Sequence, residues 1–431
     1  MNILILTNTF TPHVGGVARS VQLFSEEYRK RGHRVLVVAP EFPAMPKHEF
    51  DVIRVPAIQN FNASDFSLAL PYHPGLSEAL DAFQPDIVHS QHPFLLGMTA
   101  LRTARYRKLP LIFTHHTLYE QYTHYVPGDS PALKRFTIEL ATRYANLSDQ
   151  VFAPSESILK LLQIRGVISP VAVVPTGVPL NKFTDGDGAT FRARLRIPAE
   201  AFVVGHLGRL APEKNLQFLS EAVAGFMRHR QHVREVHFLV IGSGSSEHAI
   251  RTFFNREGLG ERLHIVGVLQ SQQLADALQA MNLFAFASTS ETQGMVLIEA
   301  MATGLPVVAL DASGAREVVK DGGNGRLLHE LSTVQFGDAL QWVAERSPEQ
   351  MLSLKQAALD TARAYSMPRM ADRAIACFKA VIDRPIVDSA VEERRWEEVR
   401  TLIRTEWDII KGVVKAGDAA LGGSLFSTNK N

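Results

Sequence analysis

Short apolar runs recur along the chain, each followed by a longer stretch in which apolar residues return every three or four positions. The first pattern predicts buried strands, the second amphipathic helices. Residues 3–7 read as a strand, and Gly15-Gly16 opens a helix that runs to Arg31 and stops at Gly32. Further strands are predicted at 34–39, 86–89, 111–114, 150–153 and 171–174. Turn formers then gather in Pro175-Thr176-Gly177-Val178-Pro179, which reads as a linker. A second series follows, with strands at 202–208, 236–241, 263–266, 283–287 and 306–310. This alternation predicts two doubly wound α/β units with parallel sheets, whose ligands sit at the carboxyl ends of the strands. The expected spans are 1–175 and 180–369 for the two units, about 370–382 for a further helix, and 383–431 for an extension.

Composition narrows the partners. A chain of 431 residues suits two cores better than one. With 45 basic against 44 acidic residues, no overall field calls for nucleic acid, and an anionic partner has to be held by a local patch. Cys377 stands alone, which excludes an intrachain disulfide and a Cys-rich metal site and fits a reducing cytoplasm. The chain opens directly as a strand, so neither a signal peptide nor a membrane span is expected. Work at a membrane would be done from its surface, on the inner face. The pattern carries no signal for an oligomer.

Chemistry concentrates in Ser288-Thr289-Ser290-Glu291-Thr292-Gln293-Gly294-Met295-Val296-Leu297-Ile298-Glu299-Ala300-Met301-Ala302-Thr303-Gly304-Leu305-Pro306. Glu291 falls in a loop after a strand, and Glu299 about a turn into the next helix. The amides of Met295, Val296 and Leu297 would be open at that helix start, where a phosphate fits. Carboxylates for sugar hydroxyls beside amides for phosphate suggest a nucleotide-sugar site. A plain strand–loop–helix unit, its Glu favoured by the helix dipole, accounts equally well for these residues alone.

Other strand ends add to this. In Phe10-Thr11-Pro12-His13-Val14-Gly15-Gly16-Val17, paired glycines let backbone amides approach a diphosphate, or simply make a tight turn. In Gly208-Arg209-Leu210-Ala211-Pro212-Glu213-Lys214-Asn215, two cations suit a diphosphate whose charge grows as a sugar–phosphate bond breaks. A solvated basic loop is the alternative. Phe113-Thr114-His115-His116-Thr117-Leu118-Tyr119-Glu120-Gln121-Tyr122-Thr123-His124-Tyr125 makes a polar, aromatic wall. Zinc is not expected there, because no Cys stands nearby and a strand end points His115 and His116 opposite ways. Gly242-Ser243-Gly244 starts like a dinucleotide fingerprint, yet the third glycine is missing. His89-Ser90-Gln91-His92-Pro93 reads as a polar strand end.

The pattern Glu-x7-Glu followed by Ala-Met-Ala-x-Gly-x-Pro-Val-Val resembles the signature of retaining glycosyltransferases of family 4, and the likeness runs from the first strand to about residue 382. The resemblance implies an α/β GT-B fold, two Rossmann-like doubly wound domains facing across a cleft, with the helix near 370–382 crossing back onto the first domain. It implies that Glu291 contacts the donor sugar, Glu299 the ribose, and Arg209 with Lys214 the phosphates. Gly15 and Gly16 would lie near the phosphates, His116 near the reacting carbon and Gly242 beside the nucleotide. Gly294, Met295, Val296 and Leu297 complete the expected donor contacts, while His115 is expected to be structural. The block His-Thr-Leu-Tyr-Glu-x-Tyr-x-His-Tyr is also similar to one in diacylglycerol glucosyltransferases. Expected acceptor-side residues are His13, Tyr119, Glu120 and His124.

The function so implied is transfer of a hexose from a nucleotide sugar, UDP-glucose first, to a lipid such as diacylglycerol. No carboxylate stands as an obvious nucleophile, so the resemblance implies a front-face reaction. No Asp-x-Asp motif stands in a phosphate loop, and neither metal nor further cofactor is expected. A soluble sugar, polysaccharide or small alcohol is the alternative acceptor, and a nucleotide-sugar-binding regulator the alternative without catalysis. Lys134, Arg135 and Arg143 share a predicted helix at 132–146 with Leu133, Phe136, Leu140 and Tyr144, which suits a membrane surface or an ordinary docked helix. In the extension, Val391, Trp396, Val399, Leu402, Ile403, Trp407, Ile410, Val413 and Val414 share one face above a nearly neutral polar face. That face suits docking on protein, with membrane contact as the alternative.

Overall fold

The structure, a computed structural model, describes every residue except 14, 59–67, 70–74, 122–129, 230–234, 290 and 385–431. His124 and the extension with Trp396 and Trp407 lie outside the described residues. The chain forms two compact units. The first comprises Met1–Pro154, Leu159–Val174 and the described residues from Asp372 on; the second comprises Ser155–Ile158 and Pro175–Ala371.

In the first unit the strands are β1 (Asn2–Leu6), β2 (Arg34–Pro40), β3 (Val52–Val55), β6 (Ile87–Ser90), β7 (Leu111–Thr114), β8 (Gln150–Ala153) and β9 (Val171–Val173). A small antiparallel pair, β4 (Ala57–Ile58) with β5 (Leu68–Ala69), stands apart. The sheet is parallel, in the order β3-β2-β1-β6-β7-β8-β9. Winding reverses between β1 and β6, so the loops after those strands leave a crevice at their carboxyl ends. Its helices are α1 (Gly16–Lys30), α2 (Leu76–Phe83), α3 (Leu96–Arg107), α4 (Pro131–Asn146) and α5 (Glu156–Ile164), the start of α5 being counted with the second unit. Ser130 caps α4 by accepting from the Leu133 N–H at 3.2 Å, with Pro131 in the first turn.

The second unit has β10 (Phe202–Leu207), β11 (Val236–Ile241), β12 (Leu263–Ile265), β13 (Leu283–Phe286), β14 (Val307–Leu310) and β15 (Gly325–Leu328). They form a parallel sheet in the order β12-β11-β10-β13-β14-β15, which reverses between β10 and β13. Its helices are α6 (Gly188–Arg194), α7 (Leu216–His229), α8 (Glu247–Arg256), α9 (Ser271–Gln279), α10 (Met295–Ala302), α11 (Ala315–Val318), α12 (Thr333–Ala344) and α13 (Pro348–Ala364). Alternate strand residues serve opposite cores. Val203, Leu239 and Phe284 pack with Leu297, Ile298 and Ala358, whereas Val204, Phe238 and Ala285 pack with Leu219, Val223 and Phe336. Both faces are covered, which is why these strands read as unbroken apolar runs. The expected pair of Rossmann-like domains is what the chain forms.

The last described helix, α14 (Met367–Ile382), contributes its later turns to the first unit. Phe378, fully buried, lies 5.5 Å from the Tyr28 ring and 5.9 Å from that of Phe152, centroid to centroid. Cys377 is half-buried on the same helix. One expectation needs correction. Leu140 and Tyr144 do not offer α4 an outward apolar face, because both are buried in their own unit and the Tyr144 hydroxyl donates to the Gly97 carbonyl at 2.7 Å. Leu133 and Phe136 are half-buried, while Lys134, Arg135 and Arg143 are exposed. No helix among the described residues is long and apolar enough to cross a membrane.

Candidate active site

The reversal between β10 and β13 brings together residues far apart in sequence. After β10 the chain runs through Gly208 and Arg209 into a single 3-10 turn, Pro212–Lys214. After β13 it runs through the loop that carries Glu291 to the start of α10. The Lys214 ammonium and the Glu291 carboxylate meet there in a direct ion pair, with side chains 15% and 18% exposed. Arg209 donates to the Glu213 carboxylate at 2.6 Å and is 43% exposed. The two cations expected at phosphate therefore stand on one loop, and one of them touches the carboxylate expected at the sugar.

Gly242 and Gly244 support that loop. A Cβ on Gly242 would come within 1.9 Å of the Gly208 carbonyl oxygen, and one on Gly244 within 2.4 Å of the Leu210 carbonyl oxygen. The Leu210 N–H donates to the Ser243 carbonyl at 2.9 Å, and the Ser246 N–H to the Leu210 carbonyl at 2.8 Å. These glycines are needed for one backbone to lie against another.

At the start of α10, Gly294 has φ +70°, a left-handed conformation that favours glycine. The Leu297 N–H donates to the Gly294 carbonyl at 3.0 Å. The expected open amide of Leu297 is thus corrected, since it closes the first turn; those of Met295 and Val296 stand at the helix start. Glu299, one turn on, is fully buried.

In the first unit, the loops after β6 and β7 carry histidines. His116 Nε2–H donates to Gln91 Oε1 at 2.7 Å, and Gln91 is buried. His92 Nδ1 accepts from the Asn8 N–H at 3.1 Å, which joins the loop after β1 to that after β6. His115 is buried between Phe113 and Tyr119, with ring centroids 5.9 and 5.6 Å away. Its ring nitrogens meet no hydrogen-bond partner among the described residues. Burial pulls His89, His92 and His115 down to about 3 and His116 to about 4, with the Arg165 charge also lowering His115, so all four are neutral at neutral pH.

The acceptor-side candidates are dispersed. His13 stacks on Phe42 at 5.5 Å beside Gly15, which precedes Gly16 at the start of α1. Tyr119 is buried, and burial pushes its hydroxyl well above the ordinary value. Glu120 pairs with Arg165 at 2.5 Å. Among the described residues, no three or more of His, Cys, Asp and Glu are grouped so as to hold a metal ion.

Sequence reading missed three residues. Gln91 orients His116. Gln293 anchors the Glu291 loop. His206, buried on β10, donates from Nδ1 to the Ala285 carbonyl at 3.1 Å, which leaves its Nε2 lone pair without a partner among the described residues. Burial lowers it to about 4 against the opposing hydrogen bond to Ala285, with the Lys214 charge lowering it further. A polar residue within the apolar run Phe202-Val203-Val204-Gly205-His206-Leu207 was the available signal.

A family model for Glycosyltransferase Family 4 matches residues 14–182, and one for Glycosyl transferases group 1 matches residues 201–346. The alpha-monoglucosyldiacylglycerol synthase of Streptococcus pneumoniae is 30% identical over 318 residues, 72% of this chain and 71% of that protein. The chain belongs to the family 4 glycosyltransferases. This glycosyltransferase is also 28% identical over 410 residues to the GDP-mannose-dependent alpha-mannosyltransferase of Mycobacterium tuberculosis, covering 90% of this chain and 99% of that one. Among solved structures, Anabaena Alr3699/HepE in complex with UDP matches with a TM-score of 0.71 and 21% identity, over 88% of this chain and 100% of that one, which shows a shared GT-B fold.

Proposed function

We propose that the enzyme transfers glucose from UDP-glucose to a diacylglycerol-type lipid, with retention of configuration and without a metal. The carrying observation is the Lys214–Glu291 pair where the second sheet reverses. It sets a cation for a diphosphate against a carboxylate for sugar hydroxyls, one on each side of the bond that breaks. Without donor the two charges satisfy each other. With donor, the phosphate and the hydroxyls take over as partners, so little new charge has to be desolvated. Glu299 is buried, so its contact with a ribose requires the residues over it to open.

As the sugar–phosphate bond breaks, its electron pair leaves with the diphosphate, and Arg209 and Lys214 stabilise the growing charge. The acceptor hydroxyl attacks the same face and gives its proton to the departing phosphate oxygen. An α-linked donor then yields an α-linked product. A neutral His116, held by Gln91, is a polar ring that does not compete for an anionic phosphate.

The glucolipid synthase among the relatives and the exposed Lys134 and Arg135 beside half-buried Leu133 and Phe136 support a lipid acceptor reached at a membrane surface. A second reading, GDP-mannose as donor with another acceptor, is supported by the mannosyltransferase that matches 90% of the chain. Nucleotide release is to be measured with UDP-glucose, UDP-galactose and GDP-mannose, each with and without diacylglycerol micelles. Lipid-dependent release from UDP-glucose is expected. Release from GDP-mannose that ignores lipid would replace the first reading by the second.

A further inference from the structure

The loop that carries Glu291 is tied down within the second unit by two neutral, buried tethers. Gln293 is 7% exposed, and its amide meets the Thr176 backbone twice. The Thr176 N–H donates to Oε1 and Nε2 donates to the Thr176 carbonyl, each at 2.7 Å. One residue earlier, the Thr292 carbonyl accepts from the Ser155 hydroxyl at 2.8 Å, and Ser155 is 3% exposed. On another side, a Cβ on Gly314 would come within 2.5 Å of the Gln293 carbonyl carbon, so a second stretch of backbone closes the loop in. Buried bonds of this kind are strengthened by low dielectric, and their partners are costly to leave unpaired. With the side chain of residue 293 and the carbonyl of residue 292 both held, the backbone at Glu291 has little room to turn.

We propose that Gln293 is a positioning residue for the donor sugar: through the loop it holds the Glu291 carboxylate in the orientation that accepts sugar hydroxyls, and it touches no substrate itself. The inference rests on the reading of Glu291 as the sugar's partner. Its signature is selectivity. A bare nucleoside diphosphate has no sugar for Glu291 to hold, so loosening the loop weakens the sugar nucleotide and spares the diphosphate. Both faces of the amide are required. A methionine at 293 fills the volume and makes neither bond, whereas a glutamate accepts from the Thr176 N–H but brings no donor to the Thr176 carbonyl.

The test uses the full chain as Gln293→Met, Gln293→Glu and Ser155→Ala, with Glu291→Gln as control. Calorimetric titration compares UDP with UDP-glucose and GDP with GDP-mannose, after thermal melting has shown that each variant is folded. Gln293→Met is expected to weaken the sugar nucleotide about tenfold while changing the diphosphate by less than about twofold. Ser155→Ala, the milder change, should show the same selectivity at about threefold. Equal weakening of both ligands, or of neither, in folded Gln293→Met or Ser155→Ala overturns the proposal. Should Gln293→Met fail to fold, Ser155→Ala decides alone. If Glu291→Gln leaves the sugar nucleotide unaffected, the reading of Glu291 fails instead and the proposal falls with it.

Discussion

At the carboxyl ends of the first unit's strands, four histidines are neutral, three of them buried and His116 half-buried, and His116 meets the uncharged Gln91, with the Arg165–Glu120 pair beside them. At the carboxyl ends of β10 and β13 in the second unit, the residues are charged and partly open: Arg209 with Glu213, and Lys214 with Glu291. Both sheets wind alike and both place loops where the winding reverses. The shared topology therefore decides where chemistry is gathered, and side chains decide which chemistry. In the proposed reading, the charged end takes the diphosphate and sugar of the donor.

The sharpest way to break this contrast is at Lys214. Replacing it with alanine removes the cation proposed to oppose charge on the departing diphosphate, and it breaks the pair with Glu291. We expect kcat to fall about 10³-fold, equivalent to roughly 4 kcal/mol. Steady-state nucleotide release reads this directly; a fall below tenfold would show that the charged end does not drive catalysis.

Gly242→Ala attacks the support of that loop rather than its charge. At φ +136°, with the Gly208 carbonyl 1.9 Å from the new Cβ, the substitution should destabilise by about 2–3 kcal/mol and lower activity as well. Urea unfolding followed by circular dichroism gives the first number. An unchanged midpoint would mean that the two loops part without cost.

Acid should destabilise both units, since the second also holds His206 and His264 at about 4, and the first somewhat more. A histidine whose folded value lies below the ordinary 6.5 binds its proton more readily when unfolded. Its stabilising contribution is complete above 6.5 and is withdrawn as pH falls from 6.5 toward 3–4. Each such group contributes a slope of up to about 1.4 kcal/mol per pH unit. Melts at pH 7.5, 6 and 5 should show the first unit losing stability faster, and His115→Phe should flatten that loss. Stability that holds constant from pH 7 to 5 would refute the neutral-histidine account.

The smallest effect concerns α4. Tyr144→Phe deletes one buried hydrogen bond, to the Gly97 carbonyl, and should cost about 1 kcal/mol while leaving liposome binding unchanged. If binding to vesicles fell with it, the buried face of α4 would have to become exposed at membranes.

Long apolar runs made most of the fold legible. The observed bounds of β7, β8 and β11 coincide with those expected, because strands covered on both faces leave no polar alternation to blur them. The edge strands β3 and β15 were not read, since Val-Ile-Arg-Val and Gly-Arg-Leu-Leu are short, half-covered and interrupted by arginine. For the site, loops and residue types could be read, but pairings could not. Lys214 and Glu291 lie 77 positions apart and Gln293 and Thr176 117 apart, and only the folded second unit decides such meetings. The Leu297 amide was expected to be open and is not, for a local reason: a helix can close its own first turn by a shorter hydrogen bond.

Phe378 joins the core of the first unit from near the far end of the described chain, and the division at Ala371 and Asp372 makes the second unit an insertion within the first. Gene truncation after residue 174 would therefore produce a first domain with an open core. An autonomous version calls for a short designed linker from about residue 174 to 372. Chimaeras that test whether donor preference resides in the second unit should move 175–371 as an internal cassette between two retained flanks, with Ser155–Ile158 matched to the incoming cassette.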